Sequence, residues 1–285
     1  ILYKSTITEI DDEIDPRFFS VFEDNSHGQI VTCKYCGLVF VNPREDQSKF
    51  LKTYEKLSPN EYLVEQKNRE IIFRENIELI ERFKDERGKL LDIGCSVGLF
   101  LNESEKRGWT VKGVEPSFQN ASFAKKEFNL DVINKDITDV EFGDEKFDVI
   151  TMWDVIEHFF DPGLVMSKIY SLLNKDGICV LNTPDKSSFY AKIMGEKWHA
   201  IIRMHLYYFD KKSLAKLLDK YGFKIVYQGT YKRIFTFSYI INKMMYHSRF
   251  LGSMLDIFFI KILKLGKLRI PINIFDEAFI IAKKK

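Results

Sequence analysis

The chain has 285 residues, enough for one large α/β domain with at most a small appendage. Hydrophobic residues at 45% supply a full core, and 43 basic against 41 acidic residues leave a formal charge of +2, without the basic excess of a general nucleic-acid binder. No uninterrupted apolar run reaches the ~18 residues of a membrane span, and four irregularly spaced cysteines exclude a disulfide framework. With no visible secretory leader, the chain reads as cytoplasmic.

Residues 1–45 stand apart from the rest of the chain. Between two β-type runs lies Cys33-Lys-Tyr-Cys36-Gly37, the shape of a zinc knuckle, with two thiolates on a tight turn that the glycine relieves. Tetrahedral zinc takes four ligands, and His27 is the nearest further candidate, because Cys95 and Cys179 fall in predicted core strands or turns. The alternative reading is a plain hairpin with two reduced thiols. From Gln47 to about Glu86, apolar residues such as Phe50, Leu51, Tyr54, Tyr62, Ile72 and Ile77 recur at three- and four-residue steps among charges. These helices are expected to cover a cleft from outside.

Lys89–Phe100 is the centre of the chain: a short apolar strand with Asp92 near its end, a turn bracketed by Gly94 and Gly98, then a helix start. Glycines there permit positive φ and close approach of a ligand, and the helix offers unpaired N–H groups, which suits a nucleoside-bearing ligand. The spacing is not the dinucleotide fingerprint, since Ser96 and Leu99 occupy its second and third glycine positions. A second strand, Thr110–Val114, ends at Glu115, about 20 residues beyond the turn, where a carboxylate can accept from both ribose hydroxyls. A third runs from Asp131 towards Asp136, and a fourth, Phe147–Trp153, leads into Asp154-Val-Ile-Glu157-His158-Phe-Phe-Asp161-Pro162. Pro162 opens a helix that Asn174–Gly177 should stop, and Gly177–Pro184 is the fifth strand.

An insertion at 184–210 comes next, rich in aromatic and polar groups, and is expected to form a substrate lid. Ser213–Tyr221 is a helix ended by Gly222, and Lys224–Tyr231 the sixth strand. A second insertion, 234–270, is apolar and basic over Ile234–Lys267, a stripe for peripheral membrane contact or for packing against a second copy. Ala278–Ala282 closes the chain as the last strand.

Asp92-x-Gly94-x-x-x-Gly98, then Glu115, Asp136 and D-x-x-E-H-x-x-D-P, in this order, resemble the class I S-adenosylmethionine-dependent methyltransferases that act on small molecules. The resemblance covers about residues 30–230. It implies a Rossmann-like domain over 46–285 with a mostly parallel seven-stranded sheet, an antiparallel last strand, helices on both faces and a small N-terminal zinc-ribbon-like hairpin over 1–45. It also implies S-adenosylmethionine as cofactor, held by Asp92, Gly94, Cys95, Gly98, Glu115, Asp136, Ile137, Trp153 and Asp154, with Asp136 meeting the adenine amino group. Tyr54 and Tyr62 are within reach of its methionine end. In that family a further cysteine pair commonly precedes C-x-x-C-G; it is absent here, leaving Cys33 and Cys36 as the metal candidates.

A hydroxyl acceptor must lose its proton, so His158 and His205 are the candidate bases, with Asp154 orienting. The aromatic lid, studded with hydrogen-bonding groups, favours a sugar or polysaccharide-precursor hydroxyl. The apolar, basic stripe favours instead a membrane-associated quinone-type acceptor, and a cofactor-binding protein without turnover is a third reading. Nucleic acid is not expected as a partner, because Met152–His158 stands where base-methylating enzymes carry an Asn-Pro-Pro-Tyr/Phe segment.

Overall fold

The computed structural model describes residues 1–7, 26–55, 58–84, 86–247, 260 and 264–285, the side chains of 53–55, 60–61 and 243–247 excepted. A short hairpin comes first, β1 (Ile30–Thr32) and β2 (Val39–Val41), then α1 (Gln47–Glu55), α2 (Pro59–Leu63) and α3 (Gln66–Glu81). Strands and helices alternate from there: β3 (Lys89–Ile93), α4 (Leu99–Lys106), β4 (Thr110–Val114), α5 (Phe118–Phe128), β5 (Val132–Ile133), β6 (Phe147–Trp153), α6 (Pro162–Leu172) and β7 (Leu173–Pro184). The remainder holds α7 (Phe189–Met194), β8 (Tyr207–Tyr208), α8 (Lys211–Lys220), β9 (Phe223–Thr230), β10 (Arg233–Thr236), α9 (Phe237–His247), β11 (Arg269–Ile272) and β12 (Glu277–Lys284).

Seven strands make one sheet in the order β5-β4-β3-β6-β7-β12-β9. The first five of these run parallel, and β12 lies between β7 and β9, antiparallel to both, as the resemblance implies for the last strand. The fold is Rossmann-like. Successive residues of β3 point to opposite faces: Leu90 joins Phe73, Ile77 and Phe100 on one side, and Leu91 and Ile93 join Ile150, Met152 and Ile169 on the other. Covered on both faces, the strand has no need of polar alternation. Side-chain caps set the helix starts. Ser117 accepts from Asn120 N at α5, Asp161 accepts from Leu164 N at α6 ahead of Pro162, and Asp210 forms a capping box with Ser213 at α8.

Three expectations change. The stop at Asn174–Gly177 is present not as a turn before the fifth strand but as an excursion within β7: its pairing with β6 jumps from Phe147–Leu173 to Val149–Ile178. The apolar, basic stripe begins as a strand, β10 paired antiparallel with β11, and only then becomes α9; residues 248–259 and 261–263 lie outside the described residues. The hairpin and the first insertion are not separate additions. β8, from the insertion, extends the hairpin into a three-stranded sheet β1-β2-β8, and Ile30, Val39 and Val41 share one apolar cluster with Ala191, Trp198, Ile201 and Tyr208. Two distant segments thus form a single cap. Among the described residues no helix is long and apolar enough to cross a membrane.

Candidate active site

At the carboxyl ends of β3, β4 and β6, where the strand order changes direction, lies a cavity of about 490 Å³. That is room for a cofactor-sized ligand. Its floor comes from the parallel strands. Asp92, Gly94, Cys95, Glu115, Asp136, Ile137, Trp153, Asp154 and His158 all line it. Two expected residues do not. Gly98 starts α4 in the left-handed region (φ 80°), and a Cβ there would come within 2.6 Å of Leu130 Cδ1, so its task is helix packing. His205 sits one layer behind His158, with ring centroids 4.7 Å apart.

The turn after β3 is shaped by backbone constraints. Gly94 has φ 72°, and a Cβ would meet Val155 Cγ2 at 2.7 Å. Ser96 also lies in the left-handed region, at φ 48°, a conformation that costs an L side chain roughly 1–2 kcal/mol. Its N–H donates to Glu115 Oε2 (2.8 Å), while Ser117 N–H donates to Oε1 (2.8 Å). Each carboxylate oxygen keeps a second lone pair for a ligand hydroxyl. Burial pushes Glu115 up to about 7 in spite of the two N–H donors. Asp92, fully buried, is pushed up to about 8 by desolvation, though Thr151 Oγ1 donates to it (2.6 Å); the charge of Glu115 adds to the rise. Asp136 turns Oδ1 to cap the 3-10 turn Ile137–Asp139 through Thr138 N (2.8 Å).

On the opposite wall of the floor, Asp154 is held in a left-handed conformation (φ 55°) by Asn182, which donates to Oδ1 at 2.7 Å, and by Arg233 Nη2 at 2.9 Å. Arg233 also grips Glu277, whose second oxygen accepts from Asn182 at 2.9 Å. His158 closes this side. A carbonyl can only accept, so the contact of Nδ1 with Met204 O (2.8 Å) makes Nδ1 the donor, and burial lowers the imidazole below its usual pKa. Behind it Glu157 accepts from Thr183 Oγ1 (2.9 Å), and Glu157, His158 and His205 bring their polar atoms within 4.8 Å of one another.

Sequence reasoning missed the α3 side of the cavity, where Glu65, Asn68 and Arg69 line it. The expected Tyr62 lines it beside them, with the Arg69 guanidinium 4.1 Å above its ring. The side chain of Tyr54 lies outside the described residues. Four buried polar atoms of the lining residues have no hydrogen-bond partner among the described residues: the donors Arg69 Nε and Trp153 Nε1, and the acceptors Asn68 Oδ1 and Asn120 Oδ1. Orphaned buried polar atoms are costly, so their concentration around one cavity fits a polar ligand that completes them. No local motif announces Arg69, Asn120 or Arg233.

The roof is different. Phe50, Leu51, Phe159, Phe160, Leu164, Ile202 and Met204 face the cavity. Of the insertion at 184–210 only Ile202 and Met204 line it, because the polar groups are spent inside the cap. Arg203 pairs with Glu45 (2.6 and 2.9 Å), Arg44 donates to the Tyr207 hydroxyl (2.6 Å), Trp198 donates to Asp276 (3.1 Å) and His205 Nδ1 to Ala200 O (2.7 Å).

The zinc expectation does not find its ligands. Gly37 N–H donates to Cys33 O (3.0 Å) and Cys33 N–H to Leu38 O (2.8 Å), giving the expected tight turn, with Cys36 exposed. Yet His27 turns away to Gly28 O (2.8 Å) and Glu196 (3.3 Å), and among the described residues no third ligand gathers beside the two thiols. Two thiols do not complete a tetrahedral site.

Carboxylates at three successive strand ends, a glycine turn and a ring of unsatisfied polar atoms define an α/β domain that seats a nucleoside-bearing ligand. The chain belongs to the family of methyltransferase domains, whose sequence profile matches residues 67–228, more than half of its length. A ubiquinone biosynthesis O-methyltransferase of Bradyrhizobium diazoefficiens is 32% identical over 116 residues, covering 39% of this chain and 46% of that one. One from Psychrobacter cryohalolentis is 30% identical over 120 residues, covering 39% and 47%. The chain thus spans about half the length of the curated relatives it matches. Among solved structures, an S-adenosylmethionine-dependent methyltransferase from Thermotoga maritima shares the fold at a TM-score of 0.55 and 19% identity, over 83% of this chain and 100% of that one. The magnesium protoporphyrin IX methyltransferase of Synechocystis, with S-adenosylmethionine bound, aligns at a TM-score of 0.53 and 12% identity, over 86% and 100%.

Proposed function

We propose that the chain transfers a methyl group from S-adenosylmethionine to a hydroxyl of a small acceptor with an apolar, aromatic body. The observation that carries this reading is the division of one cavity into a carboxylate floor and an apolar roof. Bound on the floor, the cofactor supplies a methyl already activated by its sulfonium, so the work left to the protein is positioning and water exclusion. Glu115 would accept from the ribose hydroxyls, Asp136 and Asn120 would meet the adenine edge, and Arg69 would hold the carboxylate of the methionine end. Asp154, fixed by Asn182 and Arg233, would stand at the reacting end of the cavity.

His158 is the group that takes the acceptor's proton. It lines the cavity where floor meets roof, and burial favours its neutral form, the one able to accept. The relatives named for ubiquinone biosynthesis support an aromatic hydroxyl. The sugar reading loses its motive, since the lid's hydrogen-bonding groups are turned into the cap.

The test is incubation with methyl-labelled cofactor and a panel of catechol-type aromatics and nucleotide-sugars, read by mass spectrometry, beside calorimetric titration with S-adenosylhomocysteine. Label is expected in the aromatic hydroxyls. Label in nucleotide-sugars alone would replace the acceptor half of the proposal, and no heat of binding would sink all of it.

A further inference from the structure

Between α9 and β12 the chain runs Lys264-Leu-Gly-Lys267-Leu-Arg269-Ile-Pro-Ile-Asn-Ile-Phe275, with three cations and no carboxylate. Lys264, Lys267 and Arg269 are exposed. So are the apolar side chains between and beyond them: Leu265 at 37%, Leu268 at 53%, Ile274 at 40% and Phe275 at 65%. The next acid, Asp276, is buried and takes the Trp198 N–H. Single exposed hydrophobes are ordinary, but four in one short segment interleaved with one sign of charge are not.

Backbone strain sets the display. Lys264 and Phe275 both lie in the left-handed region, at φ 54° and 57°. For a bulky aromatic this is an unfavourable conformation, and nothing in the core requires it, because the ring is mostly in solvent. The Phe275 N–H donates to Asn273 Oδ1 (3.0 Å), which closes the turn that holds the ring outward. Strain kept at an exposed apolar residue points to a surface that is used.

The segment also adjoins the cavity. β11 pairs with β10 in the register Ile234–Pro271 and Phe235–Ile270, and Ile234 and Phe235 line the cavity. One strand of this flap is cavity wall and the other is exterior.

We infer that the surface over Lys264–Phe275 docks on a bilayer bearing anionic headgroups, with Phe275 and Ile274 entering the headgroup boundary and the three cations meeting the lipid charge. Apolar side chains seat shallowly in that boundary, and each basic residue near an anionic leaflet strengthens the contact severalfold. Docked this way, the flap turns the cavity's rim towards the membrane, so that an apolar acceptor can enter from it; that consequence rests on the acceptor proposed above.

Co-sedimentation of the full chain tests this, using vesicles of phosphatidylcholine alone and of phosphatidylcholine mixed with phosphatidylglycerol. The chain is expected to sediment with the mixed vesicles, to stay in solution with the neutral ones and to be released by high salt. K264E/K267E/R269E should lower the partition coefficient on the order of tenfold or more. Phe275→Asn is the sharper variant. Asn suits a positive φ, so a merely structural Phe275 predicts equal or higher stability and unchanged binding, whereas docking predicts several-fold weaker vesicle binding with the fold intact. Absence of the chain from the mixed vesicle pellet, or undiminished binding by both variants, overturns the inference. So does self-association seen by light scattering without vesicles and abolished by the same substitutions, which would make the surface a contact between copies. S-adenosylhomocysteine affinity, measured in parallel, is expected to stay unchanged, so a failed docking test leaves the proposed activity untouched.

Discussion

The floor and the roof of the cavity are built on opposite plans. On the floor, one run of chain from Lys89 to His158 supplies the lining residues in sequence order, most of them at or just past a strand end. Its buried carboxylates Asp92 and Glu115 lack a cationic partner among the described residues. The roof joins α1 and the connection into α6 to Ile202 and Met204 of the insertion after β7, more than a hundred residues from α1, and the cap around it satisfies its polar groups internally, as in Arg203–Glu45 and Arg44–Tyr207. The difference teaches that polar residues in a sequence indicate a binding surface only when the fold leaves them unpaired. The floor leaves Trp153 Nε1 and Asn120 Oδ1 so among the described residues, whereas the roof pairs Arg203 with Glu45 and Arg44 with Tyr207.

Substitutions in the two regions should therefore separate cofactor from acceptor. The largest effect is expected from Trp198→Ala. This side chain, 2% exposed, packs the insertion on the hairpin, and its loss should cost the cap about 3–5 kcal/mol. Hydrogen exchange should show the cap opening first and methyl transfer should collapse, with S-adenosylhomocysteine affinity within a few-fold of the parent; loss of that affinity would mean that floor and roof are one cooperative unit. At the junction, His158→Ala is expected to slow transfer roughly a hundredfold with cofactor affinity retained. Steady-state kinetics in which only KM moved would reassign His158 to acceptor positioning.

Glu115→Ala should weaken the cofactor at least tenfold, about 1.4 kcal/mol, by removing the acceptor for the ribose hydroxyls and freeing the Ser96 and Ser117 N–H groups. Unchanged calorimetric affinity would take this residue out of the site.

The floor also predicts a pH dependence. Asp92 and Glu115 are raised by burial to about 8 and about 7, so the folded chain keeps protons that the unfolded chain has already released. The stability these protons represent is complete below the ordinary carboxyl range and is lost as pH rises through 7 and 8. The ligand-free melting temperature should fall by a few degrees between pH 6 and pH 9, and Asp92→Asn should flatten the slope; a melting temperature that rises over this range contradicts the assignment. The smallest effect is expected from Ser96→Gly, which relieves a φ of 48° and should stabilise the fold by up to about 1 kcal/mol in denaturant unfolding, with cofactor binding kept.

What could be read from the amino-acid order alone was whatever a few consecutive residues determine. The apolar run before Asp92, the positive-φ demand at Gly94, the acids one strand apart at Glu115 and Asp136 and the capped helix at Asp161-Pro162 are local, and local sterics and burial dictated them before any packing was known. A mostly parallel seven-stranded sheet with an antiparallel last strand was implied by the family resemblance, and the strand order came only with the fold. Tertiary structure decided the rest, because those features depend on pairs far apart in the chain. Only the β7–β12 pairing brings Glu277 to Asn182 and so lets Arg233 clamp Asp154. Only the α3 approach puts Arg69 and Asn68 into the cavity, and only the β2–β8 pairing makes one cap of two segments and turns the lid's polar groups inward. A strand or a glycine turn is specified by its own residues; whether an arginine faces a ligand or a glutamate is settled by what the fold sets beside it.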